Sequence, residues 1–276
     1  MRSVVLAAAV LLLLATAAPA AFERRWPDGR SAATAGIDLV LCDRLSRTAR
    51  ESEGVGRRIV VRCSGGELYG LAAARGGALS VERESGRTVV RGEVSSLGSP
   101  LYRETTLGLA VEQCVGSESV VAVGANALGI TADGYEGKWA IGIDAAVARR
   151  VLGRFDLLAS LENLNEPTIG GDIVARTATC GIVLSMDRLT LGLVSEREAG
   201  FEASSALLIE ADVTPGARVR AGFATAPTVT SIGCGLGGAP AAPPYIPLVD
   251  LALSWHPRLG VSTFVTLTMQ FGAERR

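Results

Sequence analysis

A chain of 276 residues with 27 basic and 28 acidic side chains, at a formal net charge of −1, has no positive excess to offer a nucleic acid. Its single histidine, His256, excludes a histidine-rich metal site and forces any Ser-His-Asp or Cys-His catalytic set through one residue. The five cysteines lie far apart with no C-x-x-C pair, which disfavours structural zinc, and their odd number leaves at least one unpaired.

In chain order, Arg2 precedes an apolar run from Val4 to Ala15 and then Ala18-Pro19-Ala20, the pattern of a cleavable signal peptide. Residues 1–20 are therefore expected to direct export, with a mature chain from Ala21 that holds no transmembrane helix. Residues 21–56 are irregular. Ala32 to Arg50 can form an amphipathic helix and Glu51 to Gly56 a polar loop, a segment expected either as a plug inside a barrel or as a periplasmic helix beneath it.

From Arg57 to the C-terminus the pattern changes to β-like segments punctuated by turn residues. Strands are expected near 57–63, 76–84, 86–96, 103–115, 117–131, 137–150, 152–164, 171–184, 187–196, 200–213, 216–226, 228–236, 246–257 and 260–272. The clearest alternation is in the last two. Val249, Leu251, Leu253 and Trp255 share one face opposite Asp250, Ala252, Ser254 and His256, and Val261, Val265, Leu267, Met269 and Phe271 lie opposite Ser262, Thr266, Thr268 and Gln270. Segments of about ten residues or more are long for a soluble sandwich and suit a tilted bilayer crossing. The expectation is an all-β fold: an antiparallel transmembrane β-barrel of about 14 strands (12–16) over residues 57–276. Short turns at Val151-Leu152, Ser185 to Asp187, Thr214 to Gly216 and Pro257 to Gly260 resemble tight periplasmic turns. Asn165 to Gly171 and the proline-rich Gly235 to Pro247 are longer.

On this reading the polar faces line a lumen, and the candidate lumen charges are Glu104, Asp144, Glu202, Glu210, Asp212, Arg218, Arg220, Asp250 and His256. Glu202, Glu210 and Asp212 share a strand face, as a carboxylate pair for glycoside hydrolysis would need. The next strand, however, sets Arg218 opposite Asp212 and Arg220 opposite Glu210 across a three-residue turn, which favours a structural ladder of opposed charges. His256, before a proline at a strand end, fits turn chemistry or a hydrogen bond at the lumen edge. No phosphate loop, calcium loop or nucleotide fingerprint is present, and no cofactor is expected.

The closing string DLALSWHPRLGVSTFVTLTMQFG resembles the last hairpin of the PorV/PorQ family of outer-membrane proteins, relatives of the FadL-type barrels. The likeness extends over roughly Leu68 to Gly272. It takes in Leu101-Tyr102-Arg103-Glu104-Thr105, Asp144 in a glycine-rich strand, and Leu161-Glu162-Asn163-Leu164-Asn165 with Pro167, Ile169 and Gly170. The family's glycine-rich N-terminal motif survives only in faded form between Ala32 and Arg50, and aromatic residues for interfacial girdles are few. The resemblance implies a non-enzymatic outer-membrane barrel, acting as a transport channel or as an accessory to protein secretion. Its partners would be outer-membrane lipid and either secretion-system components or a small hydrophobic ligand. The competing reading is a soluble secreted β protein that binds a ligand or carbohydrate.

Overall fold

The computed structural model describes residues 58–237 and 247–271, together with Ala32. The strands are β1 (Arg58–Glu67), β2 (Arg75–Ser85), β3 (Thr88–Gly98), β4 (Tyr102–Val115), β5 (Ser119–Ala132), β6 (Lys138–Val151), β7 (Phe155–Glu162), β8 (Thr168–Ile169), β9 (Asp172–Ile173), β10 (Thr177–Ser185), β11 (Leu189–Glu198), β12 (Ser204–Thr214), β13 (Ala217–Thr225), β14 (Thr228–Leu236), β15 (Leu248–His256) and β16 (Gly260–Phe271). Fourteen of them form one closed antiparallel barrel in which each strand pairs with its neighbours along the chain. Only β8 and β9 stand apart, as a two-stranded hairpin. The ring closes between β1 and β16, with Val61 opposite Met269 and Gly65 opposite Val265.

Period-two alternation decides which side of this wall meets which solvent. Leu109 and Ile141 point outward with 58% and 64% of their surface exposed, whereas Ser231 and Thr266 point inward and retain 1%. A soluble sandwich would bury the first pair and expose the second, so the reading as a soluble secreted β protein is overturned. An apolar outer wall around a polar interior is the arrangement that lipid selects. The faces expected for β15 and β16 are those observed.

β1 begins and β16 ends at the same rim, here called the near rim. The connections there at 86–87, 116–118, 152–154, 186–188 and 215–216 are tight. Leu152 and Gly153 both take positive φ, 52° and 71°, which suits a hairpin turn that follows the right-handed twist of its strands. Three of the four turns expected on the periplasmic side fall here. Pro257 to Gly260 does not: β15 starts at the near rim, so its turn must lie at the far one. The proline-rich connection joins β14 to β15 on the near side, and its residues 238–246 lie outside those described.

A second departure concerns the segments expected at 152–164 and 171–184, which shorten to β7 and β10 because the chain leaves the wall at Asn163. The four described cysteines, Cys63, Cys114, Cys180 and Cys234, are free thiols. The N-terminal segment 21–56 lies outside the described residues apart from Ala32, a helical residue buried against the inward-facing Ala252 and Phe264.

Candidate functional site

The β12–β13 hairpin holds its charges in the expected register, Glu210 opposite Arg220 and Asp212 opposite Arg218. Arg220 Nε donates to Glu210 Oε2 at 2.6 Å and Arg218 Nε to Asp212 Oδ1 at 2.6 Å. Arg220 also reaches past β14 to donate from Nη1 to Asp250 Oδ1 on β15. That reach requires glycine on the intervening strand. A Cβ on Gly235 would stand 2.5 Å from Asp250 Oδ1 and 3.1 Å from both terminal guanidinium nitrogens. The expected pair is therefore a three-strand triad with the Arg220 side chain at 0% exposure, while Arg218 and Asp212, nearer the rim, keep 43% and 38%. Removal from water makes the inner triad costly to break, and exposure makes the outer pair nearly neutral.

The other expected residues scatter. Glu104, facing inward near the far rim, accepts from the Tyr102 hydroxyl at 2.8 Å. Asp144 faces inward on β6, accepting from Asn126 Nδ2 and, at 2.9 Å, from the backbone N–H of Asn163. Glu202 does not lie on the β12 face: it is exposed in the connection between β11 and β12, because that strand starts only at Ser204. His256 ends β15, and its Nδ1 accepts from the backbone N–H groups of Arg258 and Leu259 at 3.1 Å each. Its lone pair is committed to folding the turn.

A second charge ladder, absent from the sequence-derived set, crosses β1 to β4. Arg62 Nη1 donates to Glu82 at 2.5 Å, Arg91 Nε contacts Glu82 at 3.0 Å, and Arg91 Nη2 donates to Glu112 at 2.9 Å. On β6 and β7, Arg150 holds the fully buried Asp156 by two bonds of 2.8 Å. All of these residues sit at inward positions of their strands. Strand parity together with the register would have paired them, as it paired the charges of β12 and β13.

These ion pairs gather within about five residues of the near rim, where opposed charges can satisfy one another across neighbouring strands. The far half of the lumen wall differs. There Leu97, Ala252 and Phe264 form an apolar patch with Leu68 and Ala78, and Leu128, Ile130 and Ala140 form another. The wall is thus graded along the barrel axis. Arginines face its carboxylates at the near end, and its far half carries two apolar patches, packed against Ala32 and against Ile169 and Val174, among the inward carboxylates Glu104, Glu162, Glu196 and Glu198.

Neither a family model nor a curated protein matches the sequence. Solved structures do. The Ralstonia pickettii toluene transporter TbuX is 10% identical with a TM-score of 0.59, covering 92% of this chain and 100% of its own. The P. putida toluene transporter TodX is 9% identical at 0.59, covering 88% and 98%. A Pseudomonas aeruginosa FadL homologue is 12% identical at 0.56, covering 91% and 99%. The likeness shows the fold, that of FadL-like bacterial outer-membrane barrels, and the apolar outer wall is the surface such a location requires.

Proposed function

We propose that this outer-membrane barrel is a non-enzymatic channel admitting small apolar molecules. One observation carries the reading: the far half of the lumen wall turns Leu97 and Ile130 inward, half-buried beside Leu128 and Phe264, which Ile169, Val174 and Ala32 cover, where a water-filled pore is lined by polar side chains. An apolar solute would gain there by leaving water, at about 25 cal/mol per Å² of surface covered. Two of the similar structures are toluene transporters, which supports the same class of cargo. In this reading residues 1–20 direct export and residues 21–56 plug the barrel. Ala32 in contact with Ala252 and Phe264 supports the plug. The lumen charges Glu210, Arg220 and Asp250 serve as scaffold.

Uptake of radiolabelled toluene by cells with and without the protein tests the proposal. Faster entry in the presence of the folded barrel is expected, and equal entry rejects the channel. The PorV/PorQ resemblance supports a second role as a secretion accessory. Unchanged toluene entry together with loss of protein export on deletion would put that role in its place.

A further inference from the structure

Of the segment Leu161-Glu162-Asn163-Leu164-Asn165 with Pro167, Ile169 and Gly170, only Leu161 and Glu162, the end of β7, belong to the channel wall. After Glu162 the chain stops forming wall although β6 continues beside it, since β7 pairs only with Ala145 to Val151. The exposed edge of β6 is closed by an asparagine side chain instead of a strand. Asn165 Oδ1 accepts from the Ile143 N–H at 2.9 Å and its Nδ2 donates to the Ile141 carbonyl at 2.8 Å, while the Leu164 N–H donates to the Ile143 carbonyl at 2.8 Å. One amide thus reproduces the donor and acceptor of a missing strand residue.

The chain then turns into the lumen. Asn163 takes a positive φ of 53°, gives its N–H to Asp144 and donates from Nδ2 to the Ala175 carbonyl at 3.0 Å, tying the two ends of the excursion together. The Val174 N–H donates to the Pro167 carbonyl at 2.8 Å, and Gly170 and Gly171, both at positive φ, form the tip of the β8–β9 hairpin. Ile169 and Val174, 4% and 1% exposed, pack against the inward-facing Leu128 and Ala140. Thr168 and Ile173, the pair on the other face, stay exposed, as does Asp172 beside the turn.

We propose that the hairpin between Asn163 and Arg176 is a fixed constriction of the far mouth, and that it is a specificity-determining element limiting the width of solutes that enter the lumen. Two independent attachments hold it: polar pins on the β6 edge and an apolar seat on β5 and β6. A loop meant to swing freely would have neither. The inference refines the channel reading but is tested without its cargo.

The full chain is reconstituted into liposomes, and swelling is followed with neutral sugars of increasing size. Deleting 167–174 should admit larger sugars and raise the swelling rate several-fold. Ile169→Asp, which sets a carboxylate against Leu128, Ala140 and Val174, should do the same. Ile169→Leu should retain the wild-type size limit. Heat-modifiable gel migration identifies preparations in which the barrel is folded. A folded deletion variant with the wild-type size limit overturns the constriction. Widening on deletion with no toluene uptake by any form would leave the constriction standing and reject the apolar cargo.

Discussion

Arg220 shows how one residue can decide the state of several. It is buried between Glu210 and Asp250, so Arg220→Ala leaves two desolvated carboxylates close together and should cost about 3–5 kcal/mol. The measurement is the temperature at which the barrel loses its fast migration in detergent gels, or urea unfolding in vesicles. Combining Glu210→Ala with Arg220→Ala should recover only part of the loss, because Asp250 remains. A double-mutant cycle without coupling would show the two as separate solvated charges. Gly235→Ala should cost about 1–3 kcal/mol by pressing a methyl group into the Arg220–Asp250 contact, and a variant as stable as wild type would remove the glycine from this account. The pairing of Glu210 with Arg220 was legible because both lie on one hairpin with a short turn. The third member was not. Asp250 is joined to Arg220 across a strand whose relevant feature is an absent side chain, and sequence spacing gives no account of a neighbour twice removed in the sheet. The ladder from Arg62 to Glu112 was missed for a related reason: it depends on how four consecutive strands align, each alignment set by its own turn.

At the scale of the strand the alternation was legible because it is a physical requirement of a wall with two solvents. In β16, Val265 faces outward at mid-strand between neighbours Gly65 and Leu251. Val265→Arg near the membrane midplane should cost about 2–4 kcal/mol, and Val265→Leu should be nearly neutral. Equal damage from the two, read as loss of folded barrel in vesicles, would show a packed protein contact in place of lipid. Its neighbour Thr266 is buried on the lumen side with only 1% exposed, so the inner face has no spare room for an arginine at that position. The outer wall also contains local packing that alternation does not reveal. The indole of Trp139 covers Gly129, its cross-strand partner, where a Cβ would stand 2.7 Å from the ring. Where alternation did mislead, around residues 152–184, the cause was polar. Asn163, Asn165 and Asp144 supply hydrogen bonds that let the wall end early, and hydrophobic periodicity carries no record of such bonds.

At the scale of the molecule the inward faces are unevenly charged. On β2 to β4 they present Glu82, Glu84, Glu93, Glu104 and Glu112 against Arg91, with Arg58 and Arg62 facing them from β1. β7 and β11 add Glu162, Glu196 and Glu198 with no basic residue at an inward position of either strand, while Asp156 of β7 is held by Arg150 of β6. Such an excess enclosed by lipid is unfavourable without a counter-charge, since like charges repel strongly where water is scarce. The segment whose Ala32 touches the lumen wall carries six arginines against six acidic residues, Glu23, Asp28, Asp38, Asp43, Glu51 and Glu53, so it brings no net charge, and the counter-charge it can offer is local, in the cluster Arg44, Arg47 and Arg50. Replacing Arg44, Arg47 and Arg50 together by Glu should therefore repel the segment from the lumen and raise ion conductance across planar bilayers. In the wild-type protein, salt well above physiological strength should shift conductance beyond what the added ions themselves carry, because screening weakens the same attraction. A folded triple variant with wild-type conductance would show that charge does not hold the segment, leaving the apolar contact of Ala32 with Ala252 and Phe264 as the attachment.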